Sequence, residues 1–151
     1  MRHFRSVLGI ALAAAITAGV TAIVANPAPS VAPLSAMEIA DSTQPYVVKL
    51  HARWCPVCMV TKDVWSDVEA AYAGRVRLVV FDFTTDATTE MSRTEAKRLG
   101  LDAMFDEYSG VTGSVLVLDG ISKEVKHELH GSRDLAEYRT AIDTTIAQMR
   151  R

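Results

Sequence analysis

Cys55 and Cys58 are the only two cysteines in a chain of 151 residues, and they stand three positions apart in the stretch ARWCPVC. Such a pair suits three chemistries: a structural disulfide, two ligands of a metal ion, or a dithiol that exchanges disulfides. A disulfide across so short a loop gains the least loop-closure stabilisation, which argues against a purely structural bond. A structural zinc site normally needs four ligands, and with only four histidines in the chain it would need an unusual combination or a second subunit.

The pattern around the pair favours the dithiol. Residues 46–50 (YVVKL) are β-branched and aromatic, which predicts a short buried strand. From Cys55 to about Ala73 apolar residues recur every three or four positions, which predicts a helix that Gly74 ends, with Pro56 in its first turn. The partial positive charge of a helix N-terminus favours a thiolate at Cys55. We therefore expect Cys55 to attack a disulfide and Cys58 to resolve the mixed disulfide.

Two basic residues stand before the cysteine pair, one in the predicted strand and one directly after it. Lys49 and His51 alternate with Leu50, so both point to one face, which we expect to lie near the cysteines. A cation beside a thiol lowers its pKa, which makes both residues candidates for tuning a thiolate. The simpler interpretations are a lysine whose charged end reaches solvent and a core histidine with ordinary partners.

The remaining pattern predicts an α/β fold with a central mixed sheet flanked by helices. Residues 76–83 read as a second, central strand, joined to the first through the helix as a right-handed βαβ unit. Further on we expect a helix over 88–99 ended by Gly100, an irregular connection over 101–110, a hairpin of strands 114–118 and 124–129, and an amphipathic helix over 135–149.

The first 36 residues differ in composition from the rest. Arg2 and Arg5 precede an uncharged run over 7–25, which predicts that residues 1–25 are a signal peptide or a membrane anchor. The imperfect cleavage pattern favours retention. Residues 26–36 are rich in Pro and Ala and read as a stiff spacer, so the folded domain is predicted over 37–151. The net charge of −2 gives no reason to expect a nucleic-acid partner.

Across nearly all of residues 40–150 the chain resembles the thioredoxin superfamily. The resemblance is carried by YVVKL, ARWCPVC, VRLVVFDF, GVTGSVLVLDG and the pair His130-Gly131. It implies a thioredoxin-like fold and a protein-disulfide oxidoreductase whose only redox group is the Cys55–Cys58 disulfide, with no other cofactor and no metal. It also implies a substrate groove that includes Trp54, Pro56, Val111 and Thr112, although simple packing is an equal explanation for Trp54.

Three positions depart from the family pattern. Thr112 stands where the family usually has a cis-proline that shapes the groove and keeps metals off the dithiol. This departure supports an alternative function, a metal or iron–sulfur module that uses the cysteine pair and is shared between chains. Lys49 stands where cytoplasmic thioredoxins have a buried aspartate, six residues before the first cysteine. Asp63 replaces a common proline, so the family's helix kink is expected to be absent here.

The resemblance also implies a cellular location, a direction of the reaction and the partners. With its export segment the chain is similar to exported or membrane-tethered members, which predicts a periplasmic or other extracytoplasmic location. The dipeptide Pro56-Val57 lacks the histidine that strongly oxidising relatives place between their cysteines, so reduction is favoured over oxidation. The implied partners are disulfide-containing exported proteins and a membrane thiol donor that supplies electrons.

Overall fold

The computed structural model describes residues 43–151. The predicted leader over 1–25, the spacer over 26–36 and the predicted start of the domain at residue 37 lie outside the described residues. Within 43–151 no helix combines the length and the apolar character needed to cross a membrane.

Four strands and five helices make up the described part of the chain. In order they are β1 (Tyr46–His51), α1 (Pro56–Val60), α2 (Lys62–Tyr72), β2 (Arg77–Asp82), α3 (Asp86–Leu99), α4 (Asp102–Glu107), β3 (Ser114–Leu118), β4 (Val125–His130) and α5 (Leu135–Met149). Thr85 caps α3 in a capping box with Thr88, and Gly100 ends it in the left-handed conformation that glycine adopts without steric cost.

The sheet is mixed and has the order β2-β1-β3-β4. β1 and β2 are parallel and are joined through α1 and α2, whereas β1 pairs antiparallel with β3, and β3 with β4. This order, with helices on both faces, is the thioredoxin-like fold, so the predicted fold class is confirmed.

The sheet separates two hydrophobic cores. On one face, Val48 and Leu50 of β1 pack with residues of α3 and α4, and both cysteines belong to this cluster. On the other face, Val47 of β1 packs with residues of α2 and α5. Because successive side chains of a strand point to opposite faces, one central strand contributes to both cores.

Three sequence-based expectations were wrong. Among residues 43–151, β2 lies at the end of the sheet rather than in its middle, and Val80 on it is 45% exposed. The region 101–110 contains the helix α4, whose Phe105 is buried against Phe81 and Phe83. The long first helix is interrupted at Thr61, although no proline is present at position 63.

The interruption has a local cause. The Thr61 hydroxyl donates to the Val57 carbonyl at 2.9 Å and lies 3.5 Å from the Cys58 carbonyl. Threonine side chains that bond back to the preceding turn tend to bend a helix. The long helix is therefore interrupted at Thr61, without the proline that the family commonly has at position 63.

Candidate active site

The cysteine pair lies where β1 passes into α1. Cys55 is the N-cap of α1, and its sulfur accepts a hydrogen bond from the Cys58 backbone N–H at 3.2 Å. Pro56 follows in the first turn, where a missing N–H removes no helical hydrogen bond. Both cysteines are free, and both are buried, at 3% and 2% exposure. The Cys58 thiol donates to the Leu50 carbonyl at 3.7 Å, which ties α1 to the strand beneath it.

The two thiols differ in acidity. Burial acts to raise the pKa of Cys55, but hydrogen bonds from the Cys58 and Thr112 side chains and from the N–H groups of Cys58 and Val57 hold that pKa below its ordinary value. Burial raises the pKa of Cys58, and the neighbouring Cys55 raises it further. These opposite shifts of pKa favour a thiolate at Cys55 over one at Cys58.

The loop before β3 faces the pair. The Thr112 side chain lies close enough to Cys55 to lower the pKa of its thiol. Gly113 has φ of +90°, and its N–H donates to the Leu50 carbonyl at 2.8 Å. A Cβ on Gly113 would lie 2.7 Å from Val57 Cγ1 and 3.5 Å from Cys55 Sγ. The loop therefore lies so close to Val57 and Cys55 that a side chain at position 113 would clash.

Lys49 of β1 is buried, at 7% exposure. Its amine stands over the Trp65 ring, 5.1 Å from the centroid, and the Trp65 indole N–H donates to Glu69 at 2.7 Å. Burial lowers the pKa of Lys49, while Cys58, Glu69 and Cys55 oppose this shift electrostatically. The alternative of a lysine reaching solvent does not describe this side chain.

His51 is the second tuning candidate, and its surroundings differ. Burial and then Lys49 lower the pKa of His51, whereas Asp82 raises it. Its Nδ1 is buried without a hydrogen-bond partner. The predicted placement of Lys49 and His51 on one face agrees with their mutual interaction, but the groups that shift His51 do not include either cysteine.

A polar network holds the segment before Cys55. The Arg53 N–H donates to the Thr84 hydroxyl at 3.0 Å, and the Trp54 indole N–H donates to the Thr84 carbonyl at 3.2 Å. Thr84 in turn donates its N–H at 2.7 Å and its hydroxyl to the Asp82 carboxylate. The sequence analysis did not identify Asp82 or Thr84 as part of the site. The available signal was the polar run FTTDAT directly after β2, because parallel strands end at the same sheet edge.

The predicted groove residues are exposed or half-buried. Trp54 is 60% exposed, and Pro56 and Val111 are exposed as well, while Thr112 is half-buried. Within residues 43–151, no group of three or more His, Cys, Asp or Glu side chains is arranged to hold a metal ion. A four-ligand site on these cysteines would therefore need ligands from outside these residues.

No family model matches the chain, and no curated protein matches it either. Among solved structures, the protein Trxlp from Edwardsiella tarda EIB202 is 13% identical, over 73% of this chain and 95% of its own, with a TM-score of 0.46. Thioredoxin O2 from Arabidopsis thaliana is 18% identical over 69% and 76%, with a TM-score of 0.43. StoA from Bacillus subtilis is 16% identical over 68% and 85%, with a TM-score of 0.47. The fold is established by the strand order described above, and no activity is transferred from these proteins.

Proposed function

We propose that the chain is a thiol–disulfide oxidoreductase in which Cys55 attacks a protein disulfide and Cys58 resolves the mixed disulfide. The observation that carries this proposal is the division of roles at the start of α1. One thiol caps the helix and has a lowered pKa, and the other lies one turn later, donates its N–H to the first and has a raised pKa.

The test is reduction of insulin by dithiothreitol, followed as turbidity. The full-length chain is expected to accelerate the reaction, and Cys55→Ser is expected to abolish the acceleration because no attacking thiolate remains. Cys58→Ser is expected to accumulate a mixed disulfide with insulin, visible on a non-reducing gel. A wild-type rate no higher than that of Cys55→Ser would contradict the proposal.

We further propose that the enzyme acts as a reductase outside the cytoplasmic membrane. Support comes from Pro56-Val57, which places no cation between the cysteines, and from the apolar run over 7–25. Its partners would then be exported proteins with disulfides and a membrane thiol donor. The reduction potential, measured in a series of dithiothreitol buffers, tests the direction. A potential near that of strong oxidants, about −120 mV, would reverse it, and cell fractionation tests the location.

The competing proposal is a metal or iron–sulfur module shared between two chains, which Thr112 in place of the expected proline favours. Protein purified without oxygen would then be coloured or contain metal, and would be dimeric. A colourless, metal-free monomer with one titratable dithiol would end this alternative.

A further inference from the structure

We propose that Asp82 is a positioning residue: acting through Thr84, it fixes Trp54 beside the attacking cysteine and thereby sets the affinity of the site for protein substrates. This inference rests on the proposed oxidoreductase function and concerns its selectivity for proteins over small disulfides. Its basis is an unbroken chain of hydrogen bonds that runs from the end of β2 to the residue next to Cys55.

Asp82 projects its carboxylate from a fixed backbone. It is the last residue of β2, and its N–H donates to the Ser92 hydroxyl of α3 at 2.8 Å. The Ser92 hydroxyl also donates to the Asp82 carbonyl at 3.3 Å, and Ser92 is buried. The next residue, Phe83, is buried as well and donates its N–H to the His51 carbonyl of β1 at 2.7 Å. The backbone around Asp82 is therefore tied to both a helix and the neighbouring strand.

Thr84 links Asp82 to the segment before the cysteines. The Asp82 carboxylate accepts hydrogen bonds from the Thr84 N–H at 2.7 Å and from the Thr84 hydroxyl. An ionised carboxylate can only accept, so the single hydroxyl proton points to Asp82, and the hydroxyl oxygen is left to accept the Arg53 N–H at 3.0 Å. The Thr84 carbonyl accepts the Trp54 indole N–H at 3.2 Å. One threonine therefore holds both the backbone at 53 and the ring at 54, and Asp82 fixes its orientation.

The Asp82 carboxylate is ionised at neutral pH, as this geometry requires. Burial acts to raise the pKa of Asp82, but hydrogen bonds from the Thr84 hydroxyl and N–H hold that pKa below its ordinary value. The charges of His51 and Arg53 lower it further.

Trp54 depends on these hydrogen bonds because its ring lies mostly outside the core, at 60% exposure. An aromatic side chain that is ordered before binding loses less conformational entropy when a partner covers it. Tryptophan is also among the residues that supply most of the binding energy at protein interfaces. A small disulfide, in contrast, needs only to reach the thiol. A fixed Trp54 ring therefore favours protein substrates.

The experiment compares two substrates of the full-length chain. Reduction of insulin gives kcat and KM for a protein, and the reaction of the reduced chain with dithiobis(nitrobenzoate) gives the rate for a small disulfide. The variants are Asp82→Ala, Thr84→Val, which removes the hydroxyl, and Thr84→Ser, which keeps it. Asp67→Ala, which removes an exposed carboxylate from α2, is the matched control. The ¹⁵N relaxation of the indole signal that Trp54→Phe removes reports the mobility of the ring.

We expect Asp82→Ala and Thr84→Val to raise KM for insulin by roughly 3- to 10-fold with kcat little changed, because binding must then order the ring. The rate with dithiobis(nitrobenzoate) should stay at the wild-type value, and the Trp54 indole should become more mobile. Thr84→Ser and Asp67→Ala should match the wild type with both substrates.

A wild-type KM for insulin in Thr84→Val would overturn the proposal, and this variant alone decides the result should Asp82→Ala fail to fold. An equal fall in the rate with dithiobis(nitrobenzoate) would also overturn it, since the network would then act on the dithiol itself. The same rise of KM in Asp67→Ala would show a general effect of charge instead. Wild-type reduction of insulin no faster than that of Cys55→Ser would refute the proposed function rather than the role of Asp82.

Discussion

At the scale of single residues, two chemically identical thiols are made different by their positions on one turn of helix. Cys55 accepts a hydrogen bond from the Cys58 N–H at the helix N-terminus, whereas Cys58 is enclosed by apolar residues and the Leu50 carbonyl. Hydrogen bonds to the charged form favour ionisation, and burial opposes it. In the proposed disulfide exchange, the order in which the two thiols react would then follow from the end of the turn that each of them occupies.

Thr112 offers a direct test of this account. Thr112→Val keeps the shape of the side chain but removes the hydroxyl that lowers the pKa of Cys55, so that pKa should rise. The rate of iodoacetamide alkylation at Cys55 should then reach its midpoint at a higher pH. The reduction potential should become more negative, because a less stable thiolate destabilises the reduced form.

Thr112→Ser is the control, since it retains the hydroxyl and should keep the wild-type alkylation profile. A Thr112→Val variant whose Cys55 titrates as in the wild type would show that the hydroxyl contributes nothing to the thiolate.

At the scale of elements, α3 positions the loop that holds Trp54. The Thr85 side chain accepts from the Thr88 N–H at 3.1 Å, and the Thr88 hydroxyl lies 3.0 Å from the Thr85 N–H. Thr85→Ala should lower the free energy of unfolding by about 1 kcal/mol, because a capping residue satisfies backbone donors that a helix leaves free. Urea unfolding measures this change.

Thr94→Ala in the exposed middle of α3 is the comparison. It removes a threonine of the same size without removing a cap, and alanine has the better helix propensity, so no loss of stability is expected. Equal losses in the two variants would show that the capping box does not stabilise the helix.

The sequence predicted much of this architecture because its signals were local. The period of apolar residues predicted α5 with its bounds, Gly100 marked the end of α3, and Asp119-Gly120 marked the hairpin. The position of β2 at the end of the sheet that residues 43–151 form was not predictable in this way, because the order of strands depends on the whole sheet. The break at Thr61 depends on one hydroxyl bonding backwards, which an apolar period does not reveal.

In the candidate site, too, the sequence analysis identified features with a local signal and missed those that depend on the fold. Cys55 and Cys58 were predicted from spacing, and the common face of Lys49 and His51 from strand alternation. Asp82 and Thr84 lie about thirty residues from the segment that they hold, so only the fold brings them to Arg53 and Trp54. The burial of Lys49 depends on packing against Trp65 of α2 and was likewise beyond the strand pattern.

At the scale of the whole molecule, the sheet divides the interior into two cores, and only one of them contains the cysteines. The helix α4 contributes Phe105 to the core that contains the cysteines. The centroid of the Phe105 ring is 5.2 Å from those of Phe81 and Phe83, edge-on to the first and stacked on the second, and the Arg93 guanidinium lies over it at 5.0 Å. The short helix α4 thereby completes the packing of the core that contains both cysteines.

Phe105→Ala should lower the free energy of unfolding by about 3–5 kcal/mol, since it removes a fully buried ring and leaves a cavity. Met91→Ala, on the exposed side of α3, should change stability by less than about 0.5 kcal/mol. Denaturant midpoints of the two variants check this contrast, and a loss below about 1 kcal/mol for Phe105→Ala would show that α4 is peripheral to the fold.

The close approach of Gly113 to Val57 and Cys55 also limits how this site can be engineered. Any other residue at 113 would bring a Cβ to within 2.7 Å of Val57 and would have to adopt a φ of +90°. Neighbouring Val111 is exposed and Thr112 is half-buried, and neither position carries that backbone constraint. A library designed to vary the redox potential or the choice of substrate should therefore randomise 111 and 112 and leave 113 as glycine.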